Sequence, residues 1–231
     1  MPDRSDEFTA RLRALLSAPE AAADLRRYFC TRAADGRAPA YTGARFEHLD
    51  GGGDRPGVAD TLTAADLAAV QTLSVTVPAR AAIALLEGDL GVTLAGLLAG
   101  IPRDLDLAEA EPGVLAAGSP ADLAWHLLKE EPGLGWVMTG KLLARKRPRL
   151  IPVYDHVVRC AVGRPDSYWL SLRQALAADG GALHEQLLAL RATADVPRTV
   201  SAIRVCDVVL WMRHVTGHQA KGCPGVAVQP R

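Results

Sequence analysis

The sequence predicts an all-α protein, a two-lobed helical bundle. Of its 231 residues, 49% are apolar but only 5% are aromatic, and alanine and leucine, which favour helices, are abundant. Apolar residues recur at helical spacing along most of the chain. Two segments, Thr63-x-x-Asp66 and Ser119-Pro120-x-Asp122, carry the signals that begin helices. A chain of this length can bury one core or two closely packed ones.

The predicted elements of the first half follow from these patterns in chain order. Residues 6–29 carry an amphipathic helix and a second, short one. Residues 33–60 are rich in glycine and proline and predict an irregular loop, with one extended piece at Tyr41 to Leu49 and an exposed, flexible triple glycine. Helices are predicted after Thr63 and after Pro78, and a third helix is predicted to end at Pro102. Ser119 begins the next helix.

Beyond residue 155 the pattern predicts further short helices and one central helix. The segment 199–214 is apolar on nearly all sides, which is typical of a helix buried in a core. Gly217 is predicted to end this helix, and the glycine- and proline-rich tail after it is predicted to be disordered. The expected organisation is N-terminal helices and loop in residues 1–60, a helical domain in 61–217 and a tail in 218–231.

A turn at Glu131-Pro132-Gly133-Leu134-Gly135 is the most informative motif. A Gly-x-Gly turn that opens a helix exposes backbone N–H groups and the positive end of the helix dipole, which together suit a phosphate. A basic run follows it, comprising Lys141, Arg145, Lys146, Arg147 and Arg149. This run has two interpretations, a solvated helix face or a set of phosphate contacts.

This turn and the residues after it resemble the helix-hairpin-helix core of the DNA glycosylase and endonuclease III superfamily. In that superfamily a Pro-Gly-x-Gly hairpin grips the DNA backbone, and an aspartate twenty residues after the second glycine faces the flipped nucleotide. Gly135 and Asp155 have this spacing, and Thr139 also matches the family pattern. The resemblance covers roughly residues 120–165. The whole chain, including Leu-Ile-Pro-Val-Tyr-Asp and Trp211-Met212, also resembles an actinobacterial family known only as a domain of unknown function.

The glycosylase resemblance implies a monofunctional enzyme that removes a damaged or modified base. Val137 stands where bifunctional members carry a catalytic lysine, so only attack by water is left, and the cysteines that hold an iron–sulfur cluster in some members are absent. The implied catalytic carboxylate is Asp155, aided by Tyr154, although Asp155 is also a natural N-cap. The implied DNA-binding residues share the hairpin and the helix after it: Gly133, Gly135, Trp136, Thr139, Lys141 and Arg145.

The function is left open between three classes of activity. Lysine plus arginine equal aspartate plus glutamate, 26 of each, which argues against a surface that binds nucleic acid throughout. Three possibilities remain. The protein is an enzyme that acts on duplex DNA, a non-catalytic module that binds duplex DNA, or an enzyme that acts on a small molecule such as a nucleoside or metabolite.

Several other polar and aromatic residues are candidates for a cleft, and each has a structural alternative. Asp207 lies on an apolar helix face, where it requires an ion pair with Arg204 or a polar cleft. Tryptophans are expected in the core unless they stack on a base. The possible cleft residues are Trp125, His156, Arg204, Asp207 and Trp211.

No metal or other cofactor is predicted. His214 and His218, with Cys223 nearby, have a usable spacing, but the helix is expected to stop at Gly217 between them and no second pair of ligands is evident. We predict neither a membrane span nor an N-terminal signal sequence, because no sufficiently long apolar segment is evident. The four cysteines do not occur in the closely spaced pairs that are typical of metal or redox motifs. We therefore expect a cytoplasmic protein with reduced thiols.

Overall fold

The computed structural model describes residues 4–34, 36 and 39–220, and within these ranges the regular structure is helical. The helices, in chain order, are α1 (Arg4–Leu16), α2 (Ala21–Cys30), α3 (Ala64–Gln71), α4 (Ala79–Leu86), α5 (Asp89–Ala99), α6 (Pro120–Glu130), α7 (Trp136–Lys146), α8 (His156–Val162), α9 (Tyr168–Ala177), α10 (Ala182–Thr193) and α11 (Ala202–Ala220). An isolated antiparallel bridge joins Arg32 to Pro39. The all-α prediction is confirmed.

The chain forms two compact units that are not the predicted ones. Unit 1 comprises Met1–Cys30 and Tyr154–Arg231, and unit 2 is the continuous segment Thr31–Val153. The expected boundary at residue 60 falls inside unit 2. The expected boundary at residue 217 falls inside α11.

Unit 1 is organised around α11, which packs against α8, α2, α10 and α1. The residues from Ala202 to Leu210 are all buried, so the prediction of a central helix is confirmed. Gly217 does not end this helix, contrary to expectation. A glycine ends a helix when it adopts a positive φ, and Gly217 is not among the residues that do. The helix therefore continues to Ala220, while residues 221–231 of the predicted tail lie outside the described ranges.

Unit 2 brings α3 against α7, and α5 against both α4 and α6. Its predicted helix starts are confirmed. Thr63 and Asp66 form a reciprocal capping box at α3, and the Ser119 side chain accepts the Asp122 amide at α6. Such caps satisfy N–H groups that the first turn of a helix leaves without partners.

The loop at residues 33–60 differs from its prediction. The piece expected to be extended, Tyr41 to Leu49, contains a 3₁₀ helix at Thr42–Arg45, and a second one follows at Leu49–Gly51. In the triple glycine only Gly51 is exposed, whereas Gly52 and Gly53 are buried. A Cβ on Gly53 would lie 2.5 Å from the carbonyl oxygen of Arg145 and 2.8 Å from Oδ1 of Asp66. Glycine is therefore required there by close packing rather than by flexibility.

Within the described ranges, no single helix has both the length and the apolar character needed to cross a membrane. Helices α4 and α5 reach that threshold only when taken together, and they are bent by 61° at the break between them.

Gly53→Ala should destabilise the protein by about 1–3 kcal/mol, because the added methyl group must displace backbone or a buried ion pair. Urea denaturation followed by circular dichroism measures this change. Gly96→Ala is the matched control, since Gly96 is an exposed helical glycine with open space around its Cβ position. The control should be neutral or stabilising by about 0.5–1 kcal/mol. Equal stability of the two variants would refute close packing at Gly53.

Candidate functional site

The turn between α6 and α7 is the predicted DNA-binding element and belongs to unit 2. The amide of Leu134 donates to the carbonyl of Glu131 at 3.0 Å, and the Leu134 side chain is buried beneath the turn. Gly133 has a φ of +90°, and a Cβ there would lie 2.9 Å from Cγ of Pro78. Only glycine fits this position without strain.

Gly135 is the N-cap of α7, and no side chain caps this helix. Gly133 and Gly135 are both exposed, and Trp136 is half-buried. The first intrahelical bond is donated by Thr139 to the carbonyl of Gly135, at 3.0 Å. The turn therefore presents an exposed helix start without a side-chain cap, as the sequence predicts.

The rest of α7 corrects the predicted DNA-binding set. The Thr139 side chain is fully buried. Lys141 is 4% exposed, and its Nζ donates to the carbonyl of Leu73 at 2.9 Å. The residues of α7 from Thr139 to Lys146 are all buried, so this part of the helix is enclosed on every side. Neither is available to a phosphate.

Arg145, which is also in the predicted DNA-binding set, is an interior residue. It is 1% exposed, and its Nε donates to Oδ1 of Asp66 at 3.0 Å. Its remaining nitrogens donate to backbone carbonyls of the 33–60 loop, those of Phe46, Glu47 and Leu49, at 2.6 to 2.7 Å. The guanidinium thus holds the loop instead of an external anion.

The following basic residues are held in the same way. Lys146 is fully buried and donates from Nζ to Oδ2 of Asp66 at 2.9 Å and to the carbonyl of Val58 at 2.8 Å. Burial lowers the pKa of Lys146, and the negative charge of Asp66 opposes that shift. Arg147 is likewise buried and donates to Asp60 at 2.6 Å.

Arg149 is the last member of the basic run and is partly exposed. It forms a two-bond ion pair with Asp106, at 3.0 and 2.6 Å, and the hydrogen bond from this pair raises its pKa. Both interpretations of the basic run from sequence therefore fail at Arg145, Lys146 and Arg147, which are neither a solvated face nor a phosphate contact. They form a buried cation cluster.

Asp155 is the predicted catalytic carboxylate and belongs to unit 1. It is half-buried and forms the N-cap of α8, where its Oδ1 accepts the amides of Val157 at 2.9 Å and Val158 at 3.0 Å. Its predicted capping role is confirmed. These two bonds fix the orientation of the carboxylate.

Tyr154 is hydrogen-bonded and stacked within unit 1. Its hydroxyl donates to the carbonyl of Gly163 at 2.8 Å, and its ring stacks on Tyr168 with centroids 4.0 Å apart and planes 14° apart. Burial raises the pKa of Tyr154 to about 12. At neutral pH it therefore retains its proton.

Two of the predicted cleft residues, Arg204 and Asp207, are buried and paired with each other. Arg204 and Asp207 are 5% and 3% exposed and form an ion pair with bonds of 3.1 and 2.9 Å, which confirms the structural alternative. The second terminal nitrogen of Arg204 donates to the hydroxyl of Tyr28 at 2.8 Å, and Trp211 packs edge-on against the Tyr28 ring. This group is part of the core of unit 1.

His156 and Trp125 are the two remaining cleft candidates. His156 is half-buried and is the first residue of α8. Trp125 is a half-buried residue of α6 in unit 2, with Nζ of Lys129 lying 5.5 Å from its ring centroid. The latter contact is a cation–π arrangement at a partly exposed position, which is an ordinary use of a helical tryptophan.

Two features of unit 1 were not predicted. One is a cavity of about 180 Å³, to which Asp155 does not contribute. Its lining comprises Glu7, Phe8, Arg11, Val162, Gly163, Arg164 and Pro165. The other is the approach of Cys160 to His214 and His218. The sequence indicates the pairing of His214 with His218 but neither their approach to Cys160 nor the cavity, because those contacts join residues that are distant along the chain.

A family model for a family of unknown function, DUF6308, matches residues 21–214. The match covers most of both units, and the chain belongs to this family. Comparison with curated proteins and with solved structures gives no match.

Asp66→Asn should destabilise the protein by about 3–5 kcal/mol, because it leaves two buried cations without their counter-charge while preserving a side chain that can cap α3. The free energy of unfolding in urea gives the change. Asp50→Asn is the control, since Asp50 pairs with Arg55 at the surface; it should cost less than about 1 kcal/mol. A small, equal loss in both variants would contradict the structural role of Asp66.

Proposed function

For this member of the DUF6308 family, we propose hydrolysis of the N-glycosidic bond of a damaged or modified nucleotide in duplex DNA, with Asp155 as the catalytic carboxylate. The observation that carries the proposal is the placement of Asp155 at the start of α8, half-exposed and oriented by two amides. Its position twenty residues after Gly135 is that of the catalytic aspartate in the superfamily that the motif resembles.

The reaction requires little beyond a carboxylate and water. As the bond between C1′ and the base nitrogen breaks, the electron pair leaves with the base and positive charge builds on the sugar. Asp155 stabilises that charge and accepts a proton from the water whose oxygen bonds to C1′. Val137 provides no amine for a covalent intermediate. Base release without strand cleavage is the expected outcome.

The turn at Gly133 to Gly135 is the proposed DNA-binding element. Its support is the exposed start of α7, which has no side-chain cap and therefore offers amides and a dipole to a phosphate. Lys141 and Arg145 are withdrawn from the binding set because they are buried. Arg80 is an exposed cation two residues from Pro78, the residue that Gly133 approaches, and it takes their place in the proposal.

A free nucleoside is the second candidate substrate, with the same chemistry at Asp155. The burial of Lys141, Arg145, Lys146 and Arg147 favours it, because affinity for a nucleic acid backbone depends mainly on the number of accessible cations. The two substrates differ in salt dependence. Activity on duplex DNA should fall as salt rises, while activity on a nucleoside should not.

Asp155→Asn should lower the rate of base release at least about a hundredfold, because asparagine cannot accept a proton from water. The fold should remain intact, because asparagine caps a helix as well as aspartate does. Release is measured by chromatography on a panel of duplexes with different lesions and, separately, on free nucleosides. Thermal unfolding of the variant serves as the control for folding. Unchanged release would exclude Asp155 as the catalytic group, and DNA binding without any release by the wild type would identify a non-catalytic module.

Replacing the first residue of α7 tests the role of the turn. Trp136→Pro removes the amide N–H at a position where helices accept proline, whereas Trp136→Ala removes the ring and keeps the amide. If that amide binds phosphate, the proline variant should bind duplex DNA about tenfold to a hundredfold more weakly than the alanine variant. Fluorescence anisotropy at a fixed salt concentration gives both affinities. Equal affinities would rule out the amide contact.

A further inference from the structure

Three side chains of the types that bind transition metals lie close together in unit 1. Cys160 lies on α8, and His214 and His218 lie on α11, which packs against it. The sulfur of Cys160 and one nitrogen of each histidine all lie within 4.8 Å of one another. This grouping exists because α11 continues through Gly217, which places the two histidines four residues apart on the same side of the helix.

The state of His218 is an independent indication of a ligand. This residue is 1% exposed, and both of its ring nitrogens are buried without a hydrogen-bond partner among the described residues. Buried polar groups in proteins nearly always have a partner, because an unsatisfied one loses its bonds to water without replacement. A metal ion bonded to one of these nitrogens, beside a thiol and a second imidazole, would give that nitrogen the partner it lacks.

We propose that Cys160, His214 and His218 bind a zinc ion. One thiolate and two neutral imidazoles form a donor set that suits Zn²⁺ and does not suit Mg²⁺ or Ca²⁺, which prefer oxygen. Three protein ligands leave the fourth tetrahedral position for water or another donor. The ion would link α8 to α11. Asp155 is the N-cap of α8, but the proposed zinc site does not depend on a catalytic role for that residue.

The test uses the whole 231-residue chain without a tag, treated first with a chelator to remove any bound metal. Wild type should bind one equivalent of zinc, measured by elemental analysis after gel filtration. With Co²⁺ instead, it should show the visible bands of a tetrahedral site together with a thiolate-to-cobalt charge-transfer band. Cys160→Ser should lose the charge-transfer band, and His218→Gln should lose stoichiometric binding.

Two control variants accompany these measurements. Gly217→Ala changes the residue next to His218 at a position with open space around it, and Cys30→Ser removes an exposed cysteine. Both should retain the cobalt spectrum of the wild type. A charge-transfer band that survives in Cys160→Ser and disappears in Cys30→Ser would place the metal elsewhere and overturn the proposal.

A measurement on the wild type alone covers the case in which the ligand variants do not fold. Zinc should slow alkylation of Cys160 by iodoacetamide at least about tenfold relative to the chelator-treated protein, because a coordinated thiolate is a poorer nucleophile. Peptide mass spectrometry reports Cys160 separately from Cys30. Equal alkylation rates at Cys160 with and without zinc, or the absence of bound zinc, would refute the site.

Discussion

Unit 2 depends on the charge that Asp66 carries. This one carboxylate is 1% exposed and binds Arg145 through one oxygen and Lys146 through the other, while also accepting the backbone amide of Thr63 at the start of α3. Buried cations are costly unless each donor has a partner. Here the remaining donors go to carbonyls of the glycine-rich loop, so the ionic centre is also what gives that loop its conformation.

The features that the sequence predicts correctly are local ones. The capping box of Thr63 and Asp66, the cap at Ser119 and the cap at Asp155 each follow from residues within three positions of one another. The ion pair of Arg204 and Asp207 is also local, one turn of helix apart. In each case the partner that satisfies a polar group is adjacent in the chain, so composition and spacing are sufficient to identify it.

The features that the sequence misses depend on distant partners. Arg145 hydrogen-bonds to carbonyls nearly a hundred residues earlier in the chain, and a cation-rich helix gives no local indication that such a set of acceptors will surround it. Cys160 similarly meets His214 only because α8 packs on α11. In the candidate site, the exposed turn and the helix cap at Asp155 were predictable from the sequence. The burial of the basic residues was not.

The discontinuity of unit 1 has a consequence for biosynthesis. Helices α1 and α2 leave the ribosome before any residue of unit 2, but their packing partners α10 and α11 are made last. Unit 2 is continuous, so it can complete its core while the newly made N-terminal helices still lack the surface they will cover. During translation the segment of α1 and α2 therefore remains without these packing partners for the time needed to synthesise more than a hundred residues.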